Sequence, residues 1–183
     1  MPLRWLYFLS GLGGTVMVGT GLILWTVKRR AKLPDPSRPH LGFRIVERLN
    51  IAVIIGFPIG LAVYFLANRL LPLYLAERAD REIASLFIAW GLATTFTLAR
   101  PARRAWIELC GAAALLFVAV PVVNALTTSR GLPVSLVHGD WAFAGFDLIM
   151  LAIGGLAALA NWKMTRATPS TDNRRPSARL LAL

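Results

Sequence analysis

Asp147 is the one acid set well inside an apolar run, the stretch from Trp141 to Trp162. An unpaired carboxylate in such a run is costly, so it needs either a function or a partner. Three polar residues fall at a similar depth near the ends of other apolar runs: Asn68, Arg69 and Asn124. A pair with Arg69 would cancel both charges, and the two amides would fill the remaining hydrogen bonds. Two chemistries fit this intramembrane polar cluster. It is a proton or ligand site opening towards the outer face, or it is a polar clamp between helices. One carboxylate without a chain of titratable neighbours makes a poor relay, which favours the clamp.

Other reactive side chains are sparse. Glu108 follows Trp106 by two residues at the start of a helical run, where the helix dipole and Arg103 or Arg104 would hold it structurally. Met17 and Met150 sit among apolar neighbours at helical spacing and read as packing residues rather than axial ligands. His40 and His138 fall in loops with no second ligand type clustered beside them. Cys110, the single cysteine, permits neither an intramolecular disulfide nor a thiolate cluster. No phosphate-binding loop, metal-ligand spacing or nucleophile with a base nearby is present, so no catalytic residue, metal site or cofactor is assigned from the residues.

The elements that would hold the cluster are membrane helices. No charge occurs between Arg4 and Lys28, and this run of about twenty-three residues is long enough to cross a hydrocarbon core. It exceeds the apolar core of a cleaved signal and ends in Lys28-Arg29-Arg30, so it is expected to be retained. Gly11, Thr15 and Gly19 recur every four residues and predict a face on which another helix packs closely. Trp5, Tyr7, Phe8 and Trp25 read as interfacial anchors.

The whole pattern predicts an all-α, multi-pass bundle of five spans, at about 5–27, 49–71, 83–99, 105–126 and 141–162. Gly56, Pro58 and Gly60 predict a kink in the second span. The prolines at 34, 36 and 39 make a stiff connector before it, and Pro72 to Glu82 reads as a polar turn after it. The short connection from Arg100 to Arg104 makes spans three and four antiparallel neighbours. Residues 164–183, rich in Thr, Pro, Ser and Arg, cannot bury enough apolar surface to order themselves and are expected to be a disordered basic tail.

Composition agrees. At 183 residues, with 56% hydrophobic residues and a mean hydropathy of +0.60, the chain suits several spans with short loops and leaves no room for a separate globular domain. The formal charge of +11 sits at the ends of apolar runs, which points to membrane orientation and away from nucleic acid. Seven Lys or Arg lie between Lys28 and Arg48, three between Arg100 and Arg104 and five from Lys163 onward. These fifteen predict a cytoplasmic face. Arg4, Arg69, Arg78, Arg81 and Arg130 remain for the other, with the amino terminus outside and the carboxyl terminus inside.

Several strings, in order, resemble the carboxyl-terminal membrane region of PepSY-associated transmembrane proteins, the bacterial iron-regulated inner-membrane family that includes ferric-siderophore reductases. They are Arg4-Trp-Leu-Tyr-Phe-Leu-Ser-Gly, Thr20-Gly-Leu-Ile-Leu-Trp-Thr-Val-Lys-Arg-Arg, Glu47-Arg-Leu-Asn, Tyr64-Phe-Leu-Ala-Asn-Arg-Leu-Leu-Pro, Ala89-Trp-Gly-Leu and Asn124-Ala-Leu-Thr-Thr. The resemblance implies a bacterial inner membrane and a part in iron uptake. Longer family members carry an amino-terminal helix and PepSY modules before this region, so the chain is expected to be a fragment, split subunit or shortened product. The resemblance also implies haem b on helix histidines in the reductases, and His40 and His138 do not match such positions. Two functions follow as expectations. One is a subunit or remnant of a siderophore-reducing system whose partner chains supply the haem ligands. The other is a non-enzymatic scaffold or transporter component built around Asp147. Its partners would be the lipid bilayer and either other membrane subunits or further copies of itself.

Overall fold

The computed structural model describes residues 2–35, 38–128 and 141–167, and among them every regular element is helical. In chain order these are α1 (Pro2–Ala31), α2 (Leu41–Ile51), a π-helical turn (Ala52–Gly56), α3 (Phe57–Leu70), α4 (Arg78–Ala99), α5 (Ala102–Thr127) and α6 (Trp141–Arg166). The second, third and fourth of these run on as one helical unit, Leu41–Leu70, and with α1, α4, α5 and α6 they make five units long and apolar enough to cross a membrane. This is the all-α, five-helix architecture expected from the apolar runs.

Where boundaries differ, polar residues had hidden a helix. The second unit begins at Leu41 because His40, in an extended conformation, caps it: its Nδ1 accepts from the Phe43 N–H at 2.9 Å. His40 is therefore exposed but structural, and Arg44, Glu47 and Arg48 lie on a helix whose Phe43 and Ile51 are buried. The predicted turn from Pro72 to Glu82 ends at Glu77, whose φ of 55° places it in the left-handed region uncommon for a residue with a side chain. Arg78 to Glu82 form the first turn of α4, which has 22 residues rather than about seventeen. At the other end of the chain α6 continues through Arg166, three residues into the expected tail. His138, Arg130 and residues 168–183 lie outside the described residues.

Around Pro58, where the kink is expected, the helix is irregular. Proline lacks an N–H, and the turn before it widens into the π form. The Ala52 carbonyl there accepts from the Phe57 N–H and also from Trp90 Nε1 of α4 at 3.1 Å, so a neighbouring indole helps satisfy the widened turn.

α5 is the axis of the core. Its Ala105, Leu109, Ala113, Phe117 and Val120 are buried at intervals of three or four, one continuous helical stripe, and meet Ile51, Ile59, Ala62, Ala93 and Met150. α5 lies along α6 and α3, and α3 lies along α4. Two glycines permit these approaches. A Cβ at Gly60 would stand 2.9 Å from the Leu86 carbonyl oxygen, and one at Gly154 would stand 3.0 Å from Val118 Cγ2 and 3.3 Å from the Ala114 carbonyl oxygen.

The predicted packing face of α1 is not used in this way. A Cβ at Gly11 or Gly19 would meet nothing within 4 Å, and the Thr15 hydroxyl donates to the Gly11 carbonyl of its own helix at 2.9 Å. The surface opposite offers Val53, Ile54, Phe57 and Pro58 instead of small residues, so the backbones do not close, and a groove of about 480 Å³ separates them. Two polar contacts at one end tether α1 to α2: Arg30 to Glu47 at 2.9 Å, and Asn50 Nδ2 donating to Thr26 Oγ1 at 2.9 Å.

Basic residues gather at that end. Arg48 donates to the Leu98 carbonyl, Arg100 faces Glu108 at 3.7 Å in place of the expected Arg103 or Arg104, and Arg103 donates to the Met164 and Ala167 carbonyls closing α6. A guanidinium on the last carbonyls of a helix satisfies orphan acceptors and complements the helix dipole.

Candidate functional site

The polar groups at the opposite end form two clusters rather than one. Asp147 occupies the α6 face that also carries the buried Ala144 and Met150, so helical period turns it inward against α5. It is completely enclosed. Asn124 of α5, also buried, donates from Nδ2 to both carboxylate oxygens, at 3.1 Å to Oδ1 and 3.3 Å to Oδ2. One helical turn further on, the Thr128 hydroxyl donates to the Asn124 carbonyl at 2.6 Å and stands 3.4 Å from Asn124 Oδ1, which fixes the amide that holds Asp147.

The second cluster joins α3 to α4. Asn68 Nδ2 donates to Glu82 Oε2 at 3.0 Å, and Arg78 Nε lies 2.9 Å from Glu82 Oε1, one helical turn away. Arg78 also donates through Nη2 to the Asn68 carbonyl. Arg78 Nε is buried and makes no well-aligned hydrogen bond, so its contact with Glu82 is ionic. Both Glu82 oxygens are thereby engaged, and the residue is buried.

Of the four residues expected together, Asn124 alone touches Asp147. Asn68 belongs to Glu82. Arg69 is exposed at the end of α3, and among the described residues no ion pair joins it to Asp147, although its charge acts on that carboxylate through space. The expected Asp147 to Arg69 clamp is thus an Asp147 to Asn124 clamp. The long arginine keeps its head in the polar margin, while the short amide sits on the helix that lies along α6. Arg69 borders a cavity of about 350 Å³ with Asn68, Arg78, Thr127 and Thr128. Glu82, Arg78 and Thr128 escaped the sequence reading. Their signals were the four-residue spacing of Arg78 and Glu82 ahead of an apolar run, and of Asn124 and Thr128.

Chemically, each carboxylate is bound by its own amide across a helix pair, α5 to α6 and α3 to α4. No group of three His, Cys, Asp or Glu able to hold a metal occurs among the described residues. His40 Nδ1 is taken by the α2 cap, Met150 is part of the closed core, and Met17 is exposed on α1. Comparison of the chain with family models, curated proteins and solved structures finds no match.

Proposed function

We propose that this chain is a non-enzymatic, membrane-spanning scaffold subunit of the bacterial inner membrane, serving an iron-uptake assembly of the PepSY-associated kind. The observation that carries the reading is the burial of Asp147 with both oxygens on Asn124, an arrangement that ties two helices. The membrane setting is supported by the apolar side chains on the outward faces, among them Phe87, Ile88, Leu92, Leu115, Leu126, Leu156 and Leu159. An apolar surface of that extent is covered by lipid or by partner chains. The iron-uptake setting rests on the resembling strings from Arg4 and Thr20.

An optical spectrum tests the non-enzymatic role. The chain purified alone in mild detergent is expected to show no b-type haem band and to reduce no ferric chelate. Either signal from the isolated chain overturns the scaffold reading. The string resemblance favours a second reading, a subunit of a siderophore-reducing complex, which predicts stoichiometric co-purification with a haem-carrying membrane protein.

The fifteen-to-five division of Lys and Arg orients the chain with its amino terminus periplasmic and its carboxyl terminus cytoplasmic. A periplasm-dependent reporter fused after Leu183 is expected to stay silent while the same reporter before Met1 is active. The opposite pattern reverses the topology.

A further inference from the structure

At the basic end, α1, α2, α5 and α6 surround a cavity of about 400 Å³ whose lining divides by chemistry. Arg30, Arg103, Glu47, Thr26 and Asn50 are its polar part, and Ile23, Val27 and Ile54 are among its apolar walls. Glu47 neutralises Arg30. Arg103 remains as a net positive charge, and it engages the α6 carbonyls through Nη2 alone, so Nη1 and Nε are not used in those bonds. Lys28 and Arg29 add charge in the last turn of α1.

Ile54 also lines the groove between α1 and the second helical unit, so the polar-mouthed cavity and the apolar groove adjoin. Each lies within the range of roughly 300–1,000 Å³ usual for small-molecule sites. Together they form a cleft with a cationic, hydrogen-bonding mouth at the membrane margin and an apolar channel running into the membrane beside Gly19, Gly14 and Gly11. The tethers Arg30 to Glu47 and Thr26 to Asn50 hold α1 at the mouth and leave it apart from Val53 and Phe57 beyond it.

We propose that this cleft binds one anionic phospholipid. The phosphate lies at Arg103, whose Nη1 and Nε are not used in the α6 bonds, the second Nδ2 hydrogen of Asn50 donates to its glycerol ester region, and one acyl chain fills the groove along the glycine face of α1. Basic pockets between transmembrane helices at the cytoplasmic margin suit anionic headgroups, and each basic residue near the surface contributes on the order of 1 kcal/mol. A partner helix fits less well, because the groove ends in polar and charged groups and its wall of Val53, Ile54 and Phe57 excludes close backbone approach. The proposal rests on the membrane-spanning reading and does not depend on the scaffold role.

Native mass spectrometry of the delipidated full chain tests it, with phosphatidylglycerol, phosphatidylethanolamine or glycerol phosphate added back. Phosphatidylglycerol is expected to be retained about tenfold better than phosphatidylethanolamine, at one per chain. Glycerol phosphate, which lacks the acyl chains, is expected not to compete. Arg103→Gln should lower phosphatidylglycerol retention about fivefold, with Arg103→Lys recovering most of it. Gly19→Leu, which fills the groove without touching the core, should lower retention of both lipids. Gly21→Leu lies outside the groove lining and should not. Equal retention of the two lipids, or full retention in Gly19→Leu, overturns the proposal. So does a dimer of the chain that Gly19→Leu dissociates, since a second copy would then fill the groove.

Discussion

Gly60→Leu is expected to destabilise the bundle by about 3 kcal/mol, whereas Gly19→Leu should change stability by less than about 0.5 kcal/mol. Both glycines lie in small-residue patterns, but only one is in a closed contact. At Gly60 the first added carbon would stand 2.9 Å from the Leu86 carbonyl oxygen, 3.4 Å from Trp90 Cβ and 3.5 Å from Leu86 Cγ. A backbone oxygen cannot swing aside as a side-chain tip can, so α3 and α4 must move apart. Overpacking of this kind costs about 1–3 kcal/mol. The separation also withdraws Trp90 Nε1 from the Ala52 carbonyl, a further loss of about 1 kcal/mol. At Gly19 there is nothing within 4 Å to displace. Detergent-titrated unfolding midpoints of the two variants measure the difference. A larger loss for Gly19→Leu would place the close helix contact at α1.

The same comparison explains how much of the molecule its sequence discloses. Apolar runs bounded by charge show the five helical units, because the requirement is a local one of length and polarity. The pairing of helices is not local. Gly11, Thr15 and Gly19 advertise a thin face, but whether a backbone approaches depends on the opposing surface, and Val53, Ile54 and Phe57 are too bulky. Gly56 and Gly60 have the same spacing, yet Pro58 between them signals a kink, and nothing local to them discloses the contact with α4. Glu82 was obscured in a like way. Arg78, Asp80, Arg81 and Glu82 together look like a solvated turn, and only the helical period shows that Arg78 and Glu82 share a face turned to Asn68. The buried carboxylate Asp147 was legible from polarity alone. Its partner was not, because a charge argument selects Arg69 while helix pairing selects Asn124.

Asn124→Leu should therefore be among the most damaging single substitutions in the chain, at about 3–5 kcal/mol, because among the described residues it removes the only side chain that donates a hydrogen bond to this enclosed carboxylate. Asp147→Leu leaves a neutral amide unsatisfied and should cost less, about 1–3 kcal/mol. In the double replacement both polar groups are gone and two leucines fill the space between α5 and α6, so much of the loss should return, with a coupling of about 0.5–3 kcal/mol. Arg69→Gln, at an exposed position that makes no ion pair with Asp147, should stay within about 0.5 kcal/mol. Unfolding midpoints of the four variants in one detergent close the cycle. If Arg69→Gln proved as harmful as Asn124→Leu, the through-space charge rather than the amide would be what secures Asp147. Asp147→Asn separates structure from function, since an amide can still pair with Asn124. Under the scaffold reading it keeps both the fold and iron-limited growth, and a stable Asp147→Asn chain that failed to support such growth would make this carboxylate a working proton or ion site.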